Sequence, residues 1–169
     1  SSYELDLGNT VTHTIYYQIP DNYDAASSLP LLVTIHGFAS SGEPVRDQFA
    51  ASANSEGWVL VSPDMHNNYD PGFQVTENKG QHVLARVAAQ HDIIDAIEYM
   101  VAEYDKIDTS RIYITGGSMG GQIPLMMVSK YPDLFAAAAP WKPITDLEDW
   151  YIHVWDVRGR GELTRPVSY

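Results

Sequence analysis

The residue in this chain best placed to do chemistry is Ser118, which stands in the glycine-rich run GGSMGG at 116–121. A β-branched and aromatic run at 111–115 precedes it, and an apolar segment long enough for a helix follows it. Small residues let the chain turn sharply from strand to helix, and the helix N-terminus then points free N–H groups at the hydroxyl. The pattern therefore predicts Ser118 as a nucleophile for acyl transfer.

The elements that must position Ser118 follow the order of a parallel sheet with helices on both faces. Residues 10–19 alternate between apolar and polar types, as a half-buried edge strand does, whereas the continuous apolar run at 31–35 indicates a strand buried on both faces. The other predicted elements up to Ser118 are a helix at 43–54 ended by Gly57, a strand at 58–62, a helix at 81–104 and the strand before Ser118. After Ser118 the sequence predicts a helix at 122–131, a small-residue strand at 134–139 and a short aromatic helix opened by a capping box at 145–148. Pro124 is expected in the first turn of the helix at 122–131 or at a slight kink. This alternation predicts the α/β class with right-handed crossovers.

A second loop with a glycine, at residues 36–38, comes directly after the apolar strand at 31–35. In open α/β sheets, ligands bind outside the carboxyl ends of the strands, so this loop and Ser118 are expected to share one crevice. Gly37 would allow the backbone to turn its amides toward a substrate oxygen.

The two motifs together resemble those of the α/β-hydrolase superfamily. GGSMGG at 116–121 resembles its nucleophile elbow, with Gly117 as a supporting residue, and VTIHGF at 33–38 resembles its strand and His-Gly oxyanion loop. The nearest similarity, over about residues 10–145, is to esterases and polyhydroxyalkanoate-depolymerase-like members and to their prolyl-oligopeptidase-like relatives. The resemblance implies that the N–H groups of Phe38 and Met119 form the oxyanion hole. It also implies that His36 holds the loop by hydrogen bonds rather than acting as the base, because the histidine follows the serine in this superfamily.

The groups that would activate Ser118 are harder to find. The one histidine after Ser118 is His153, and the candidate acids before it are Asp133, Asp146, Glu148 and Asp149. Asp149 and His153 are four residues apart and could meet on a helix surface, which makes them the candidate acid and base. In the superfamily, however, these two groups follow two further strands. The chain is therefore expected to be the N-terminal portion of a single hydrolase domain at 1–169, with an irregular tail at 157–169, and to be weakly active or inactive alone.

The composition of the chain limits the kinds of partner that it could bind and bears on its cellular location. The 169 residues are 44% hydrophobic and 19% charged, as in one globular domain, and the net charge of -12 disfavours nucleic acid and anionic membranes as partners. Cysteine is absent, which excludes disulfides and a cysteine nucleophile. No cofactor is predicted, and a secreted or periplasmic location is favoured over a cytoplasmic one.

Three functions remain open at this point. The favoured one is a serine esterase acting on a small-molecule or polymer ester; the alternatives are a prolyl-oligopeptidase-like peptidase and a non-catalytic binding or scaffold domain. Asp64, His66 and Asp70 could ligate a hard cation, but turn chemistry accounts for them and no metal is predicted. His13 is expected to be structural. An open sheet edge and an uncovered aromatic helix predict association with the C-terminal remainder or with a second copy.

Overall fold

The computed structural model describes residues 2–4, 10–12, 14–38, 40–65 and 85–153. The strands are β1 (Ser2–Glu4), β2 (Thr10–Thr12), β3 (Ile15–Gln18), β4 (Leu29–Ile35), β5 (Val59–Pro63), β6 (Ile107–Gly117) and β7 (Ala137–Trp141). The helices are α1 (Gly42–Glu56), α2 (Val87–Glu103), α3 (Met119–Lys130) and α4 (Leu147–Ile152). Among the residues described, no helix combines the length and apolarity that a membrane-spanning helix requires.

The main sheet has five strands in the order β3-β5-β4-β6-β7. β5, β4, β6 and β7 run parallel to one another, and β3 pairs antiparallel with β5 at the edge. The prediction of a mostly parallel α/β sheet is thereby confirmed. Because β4 and β6 are neighbours with matched register, Ile35 lies opposite Gly116 and the loops after these two strands leave the sheet side by side.

The core lies between the sheet and the helices α2 and α3. The apolar run of β4 is buried as its pattern predicted, with Leu31, Val33 and Ile35 almost wholly excluded from solvent. Burial of such side chains supplies the main stabilising free energy, at about 25 cal/mol per Å² of apolar surface. The residues that pack with them from the two helices include Ile93, Ile97, Met100, Ile123 and Met127.

Several predicted boundaries were wrong. Residues 10–19 are two strands rather than one: β2 pairs with β1 in a separate two-stranded sheet, and only β3 joins the main sheet. α2 begins at Val87 rather than at residue 81, because Ala85 has a positive φ of 49° and Arg86 is extended. β7 begins at Ala137 rather than at 134, since Leu134 is held in a turn by donating to the Tyr131 carbonyl.

The two helices nearest the predicted chemistry also differ from expectation. α3 begins at Met119 rather than at 122, so Pro124 lies in its second turn and the carbonyl of Gly120 lacks the usual helical donor. α4 is capped by Asp146 rather than by Thr145, since an Asp146 carboxylate oxygen accepts from the N–H groups of Glu148 and Asp149, each at 3.0 Å. At the start of α4, Thr145 and Asp146 are both good N-cap residues, which sequence alone does not separate.

Candidate active site

Ser118 occupies a strained corner between β6 and α3. Its φ is 59° and its ψ is -123°, a conformation that costs a non-glycine residue about 1–3 kcal/mol. Two sets of hydrogen bonds hold it there: its N–H donates to the Trp141 carbonyl at 2.9 Å, and its own carbonyl accepts from Gly121 at 2.9 Å and Gln122 at 3.3 Å. The side chain is exposed. The backbone therefore presents the hydroxyl to solvent at the first turn of a helix.

Glycines at this corner are required by close backbone approach. A Cβ on Gly120 would overlap the Ile35 carbonyl oxygen and lie 2.5 Å from the His36 carbonyl oxygen. A Cβ on Gly116 would overlap the carbonyl oxygen of Gly120 itself. Since α3 can pack this closely on β4 and β6 only without side chains here, the two glycines set the position of the helix N-terminus relative to the sheet.

The loop after β4 lies directly beside Ser118. A Cβ built on Gly37 would lie 4.0 Å from the Ser118 Cβ and 3.5 Å from the Gly117 carbonyl oxygen. The structure thus brings together the two motifs that the sequence places about 80 residues apart. Met119 is the first residue of α3, where N–H groups have no intrahelical acceptor, and Phe38 follows Gly37. The assignment of these two amides as the oxyanion hole stays a prediction.

His36 is buried and both of its ring nitrogens are committed. Nε2 accepts from the Met65 N–H at 3.2 Å, which places the ring proton on Nδ1, and Nδ1–H donates to the Gly37 carbonyl at 3.0 Å. Burial lowers the pKa of His36 below its usual value of 6.5. A neutral imidazole tied to the backbone on both sides can hold the loop after β4 but has no free nitrogen with which to take a proton from Ser118.

The candidate base and acid lie elsewhere, on α4. His153 and Asp149 are both exposed, and the N–H of His153 donates to the carbonyls of Asp149 and Trp150 at the helix end. Within the described ranges, no hydrogen bond or ion pair joins the two side chains to each other or either of them to Ser118. The structure therefore does not assemble the proposed dyad, and its role stays a prediction.

Asp64, the first carboxylate in the loop after β5, has a structural role. Asp64 accepts from the Gly42 N–H at 2.6 Å and so binds the N-terminus of α1, where a negative charge is favourable. His66 and Asp70, the other members of the alternative cation site, lie outside the described residues, as does His13. Among the residues that are described, no three His, Cys, Asp or Glu side chains form a group that could hold a metal ion.

Two partners in the site were missed at the level of sequence. The Trp141 carbonyl anchors the Ser118 N–H, and the Met65 N–H fixes the tautomer of His36. Both are backbone groups, which every residue type carries, so the residue types give no signal for either bond. The register of β6 with β7, in which Gly117 lies opposite Trp141, is what brings the first pair together.

Comparison with known proteins places this geometry in a defined class. A strand–serine–helix corner beside a glycine loop, on a mostly parallel sheet, defines the nucleophile side of an α/β-hydrolase. Residues 50–165 match the prolyl oligopeptidase family (Peptidase S9), and the chain belongs to this family. The acetyl xylan esterase of Aspergillus awamori superimposes with a TM-score of 0.58 at 24% identity, over 77% of this chain and 46% of that one, which shows the shared fold.

Curated relatives include named esterases and a depolymerase. Feruloyl esterase B of Talaromyces stipitatus is 26% identical over 132 residues, covering 74% of this chain and 34% of the relative. Poly(3-hydroxyalkanoate) depolymerase C of Paucimonas lemoignei is 27% identical over 136 residues, covering 75% and 30%. The chain thus spans about a third of the length of these two relatives.

Proposed function

We propose that this chain carries the nucleophile and the oxyanion loop of a serine esterase that cleaves carboxylic esters through an acyl-enzyme on Ser118. The observation that carries the proposal is the backbone of Ser118, with a φ of 59° at the N-terminus of α3 and an exposed side chain beside Gly37. Similarity to enzymes named as esterases supports the bond class.

The reaction has two balanced steps. In the first, Ser118 Oγ attacks the ester carbonyl carbon, its proton passes to a base, and the alcohol leaves with a proton as the acyl-enzyme forms. In the second, water attacks the acyl carbon, the carboxylic acid product is released and the Ser118 hydroxyl is restored. In each step negative charge develops on the carbonyl oxygen, where the N–H groups of Phe38 and Met119 would stabilise it. Asp149 and His153 remain the candidate acid and base.

A second candidate function is cleavage of a peptide bond. The observation in its favour is the match to the prolyl oligopeptidase family over residues 50–165. The observation in favour of the third candidate, a non-catalytic binding or scaffold domain, is that in the described part of the chain no base contacts the nucleophile.

The test is covalent labelling followed by a substrate panel. A fluorophosphonate probe should label Ser118 readily in an enzyme that contains its base. In this chain alone it should add once, as read by intact mass, only over a long incubation, and it should add nothing to Ser118→Ala. Turnover of p-nitrophenyl esters should exceed turnover of peptide anilides, although without a base in place rates should fall by about 10⁴–10⁶. Labelling that survives Ser118→Ala would remove the nucleophile assignment. Cleavage of anilides in preference to esters would favour the peptidase, and absence of labelling in a folded chain would favour the scaffold.

Partners and location belong to the same proposal. The substrate is a small-molecule or polymeric ester. A second copy of this chain covers the outer edge of β7, which is the last strand of the main sheet among the described residues. A secreted or periplasmic location suits an enzyme that meets a polymer too large to cross a membrane. Analytical ultracentrifugation of the purified chain at several concentrations tests self-association directly, because a monomer at all concentrations would contradict it.

A further inference from the structure

The most exposed large apolar side chain in the described part of the molecule is next to the nucleophile. Trp141 is 63% exposed at the carboxyl end of β7, in a strand whose preceding residues are small. An exposed indole offers a rigid apolar surface to which a ligand can bind. Its place beside the reactive corner makes a bound substrate the natural candidate.

Trp141 is tied to the corner through both its backbone and its ring. Its carbonyl accepts the Ser118 N–H at 2.9 Å. Its ring covers Gly117, the residue before the nucleophile, since a Cβ on Gly117 would lie 3.2 Å from Cε3 of the indole. The position of the indole is therefore coupled to that of Ser118 by one hydrogen bond and one glycine contact.

The residue after Trp141 helps to hold the ring. Lys142 has a φ of 48°, which is uncommon for a residue with a side chain, and its ammonium lies 4.8 Å from the centroid of the Trp141 ring. A cation over an indole is attracted by the negative face of the ring and restricts its rotation. The ring is thus partly preorganised before any ligand arrives.

A second exposed aromatic residue lies on the other side of Ser118. Phe38 is 41% exposed and follows Gly37, which approaches the Ser118 Cβ from the β4 side of β6. Trp141 approaches from the β7 side. The loop that carries Phe38 and the strand end that carries Trp141 therefore lie on opposite sides of Ser118 along the sheet.

From this geometry we infer that Trp141 is a specificity-determining residue whose indole binds a planar aromatic ring of the substrate. The inference rests on the proposed function, because the substrate is taken to react at Ser118. Offset or edge-to-face contact between two aromatic rings is favoured over contact of the indole with a saturated group of equal size. The ring can belong to the acid or to the alcohol part of the ester, and the two are distinguished by experiment.

The test uses ligands that bind without reacting, on Ser118→Ala as well as on the unchanged chain. N-methylcinnamamide and N-methyl-3-cyclohexylpropanamide form a matched pair for the acid side, and acetanilide and N-cyclohexylacetamide form one for the alcohol side. Binding is followed by the shift of the Gly117 backbone N–H resonance, which every variant keeps and which lies against the Trp141 ring. In one of the two pairs the aromatic member should bind about tenfold more tightly.

Substitution then separates binding from structure. Trp141→Ala should abolish the preference for the aromatic ligand, whereas Trp141→Phe should keep most of it. Trp58→Phe is the matched control, since Trp58 stacks on Tyr113 at a ring distance of 4.9 Å and should leave the preference unchanged. Equal affinities within both pairs, or an unchanged preference in Trp141→Ala, would overturn the inference. Neither result would affect fluorophosphonate labelling at Ser118, so failure of the proposed function is recognised independently.

Discussion

The nucleophile corner and the helix α4 carry the two halves of the predicted chemistry, and they are built in different ways. At the corner, Ser118 is fixed by bonds to β7 and within α3, and the neighbouring glycines leave no room for side chains. In α4, Asp146 caps its own helix and the side chains of Asp149 and His153 are exposed. The corner depends on contacts between residues far apart in sequence, whereas α4 depends on contacts within one turn.

The two regions differ in whether the fold holds the proposed catalytic group in position. A catalytic group must be held in place by its surroundings, because small displacements are costly in rate. Ser118 and the loop after β4 meet this condition. His153 does not, so its place in a triad requires additional contacts beyond those that the described residues make.

The largest expected effect comes from filling the space at the corner. Gly120→Ala should destabilise the fold by about 3 kcal/mol or more, because the new Cβ would overlap the Ile35 carbonyl and neither backbone can move without disturbing the sheet. Urea unfolding followed by circular dichroism measures the change.

The control for that substitution is Gly37→Ala in the same site. The Cβ at Gly37 would meet its neighbours at 3.5 and 4.0 Å, which is ordinary contact, so the cost in folding stability should stay below about 1 kcal/mol. Similar losses for the two variants would contradict the claim that the approach of α3 to β4 is what demands glycine at 120.

The next effect is the pH dependence that His36 confers. Burial lowers the pKa of His36 in the folded state, with the carboxylates of Asp64 and Asp92 partly opposing that shift. Between this lowered pKa and the unfolded value of about 6.5, the unfolded chain binds a proton that the folded chain does not. The stabilising contribution is therefore complete above about pH 6.5 and is lost as the pH falls toward the folded pKa.

Denaturant midpoints at pH 7.5 and pH 5 check this expectation in the unchanged chain and in His36→Asn. The variant should be less stable at pH 7.5, because the Met65 N–H loses its acceptor, and it should lose less stability between the two pH values. His153→Gln, which removes an exposed histidine, should keep the full pH dependence. A pH profile that is unchanged in His36→Asn would show that other groups cause it.

The features that could be predicted from the sequence lie in the sheet and at the nucleophile corner rather than in α4. The apolar run of β4 and the glycines around Ser118 predicted the fold and the corner correctly, because continuous burial and close approach each demand particular residue types. The role of His36 as a loop-holding residue stays a prediction, which the two hydrogen bonds that it makes to backbone groups support.

The predictions that were wrong, and the bond that was missed, depend on backbone conformation and backbone hydrogen bonds, which residue types do not specify. Thr145 and Asp146 are both good N-cap residues, and only the backbone conformation decides between them. Pro124 suggested a later start for α3, but the hydrogen bonds of Gly121 and Gln122 to the Ser118 carbonyl start the helix earlier. The bond from Ser118 to Trp141 depends on strand register, and register is a property of two segments rather than of either one.

A smaller effect is expected from the cap of α4. Asp146→Ala should cost about 1 kcal/mol of helix stability, because the N–H groups of Glu148 and Asp149 lose their acceptor. Since α4 is held locally, amide hydrogen exchange should quicken in α4 and stay unchanged in β6 and α3. Faster exchange in β6 as well would mean that α4 supports the corner, which would narrow the difference between the two regions. Asp146→Asn, which keeps an acceptor oxygen, is the matched control.

The smallest effect is expected from His153, and it is the most informative about mechanism. His153 is exposed at the end of α4 and makes no side-chain contact with Ser118 among the described residues, so His153→Ala should change stability by no more than about 0.5 kcal/mol. The rate of fluorophosphonate labelling at Ser118 should likewise be unchanged, because a base that does not reach the hydroxyl cannot speed its attack. Asp149→Asn should behave in the same way. If the purified chain instead hydrolyses esters at rates ordinary for esterases, and His153→Ala abolishes that turnover, then α4 must approach the corner during catalysis, and His153 is the base.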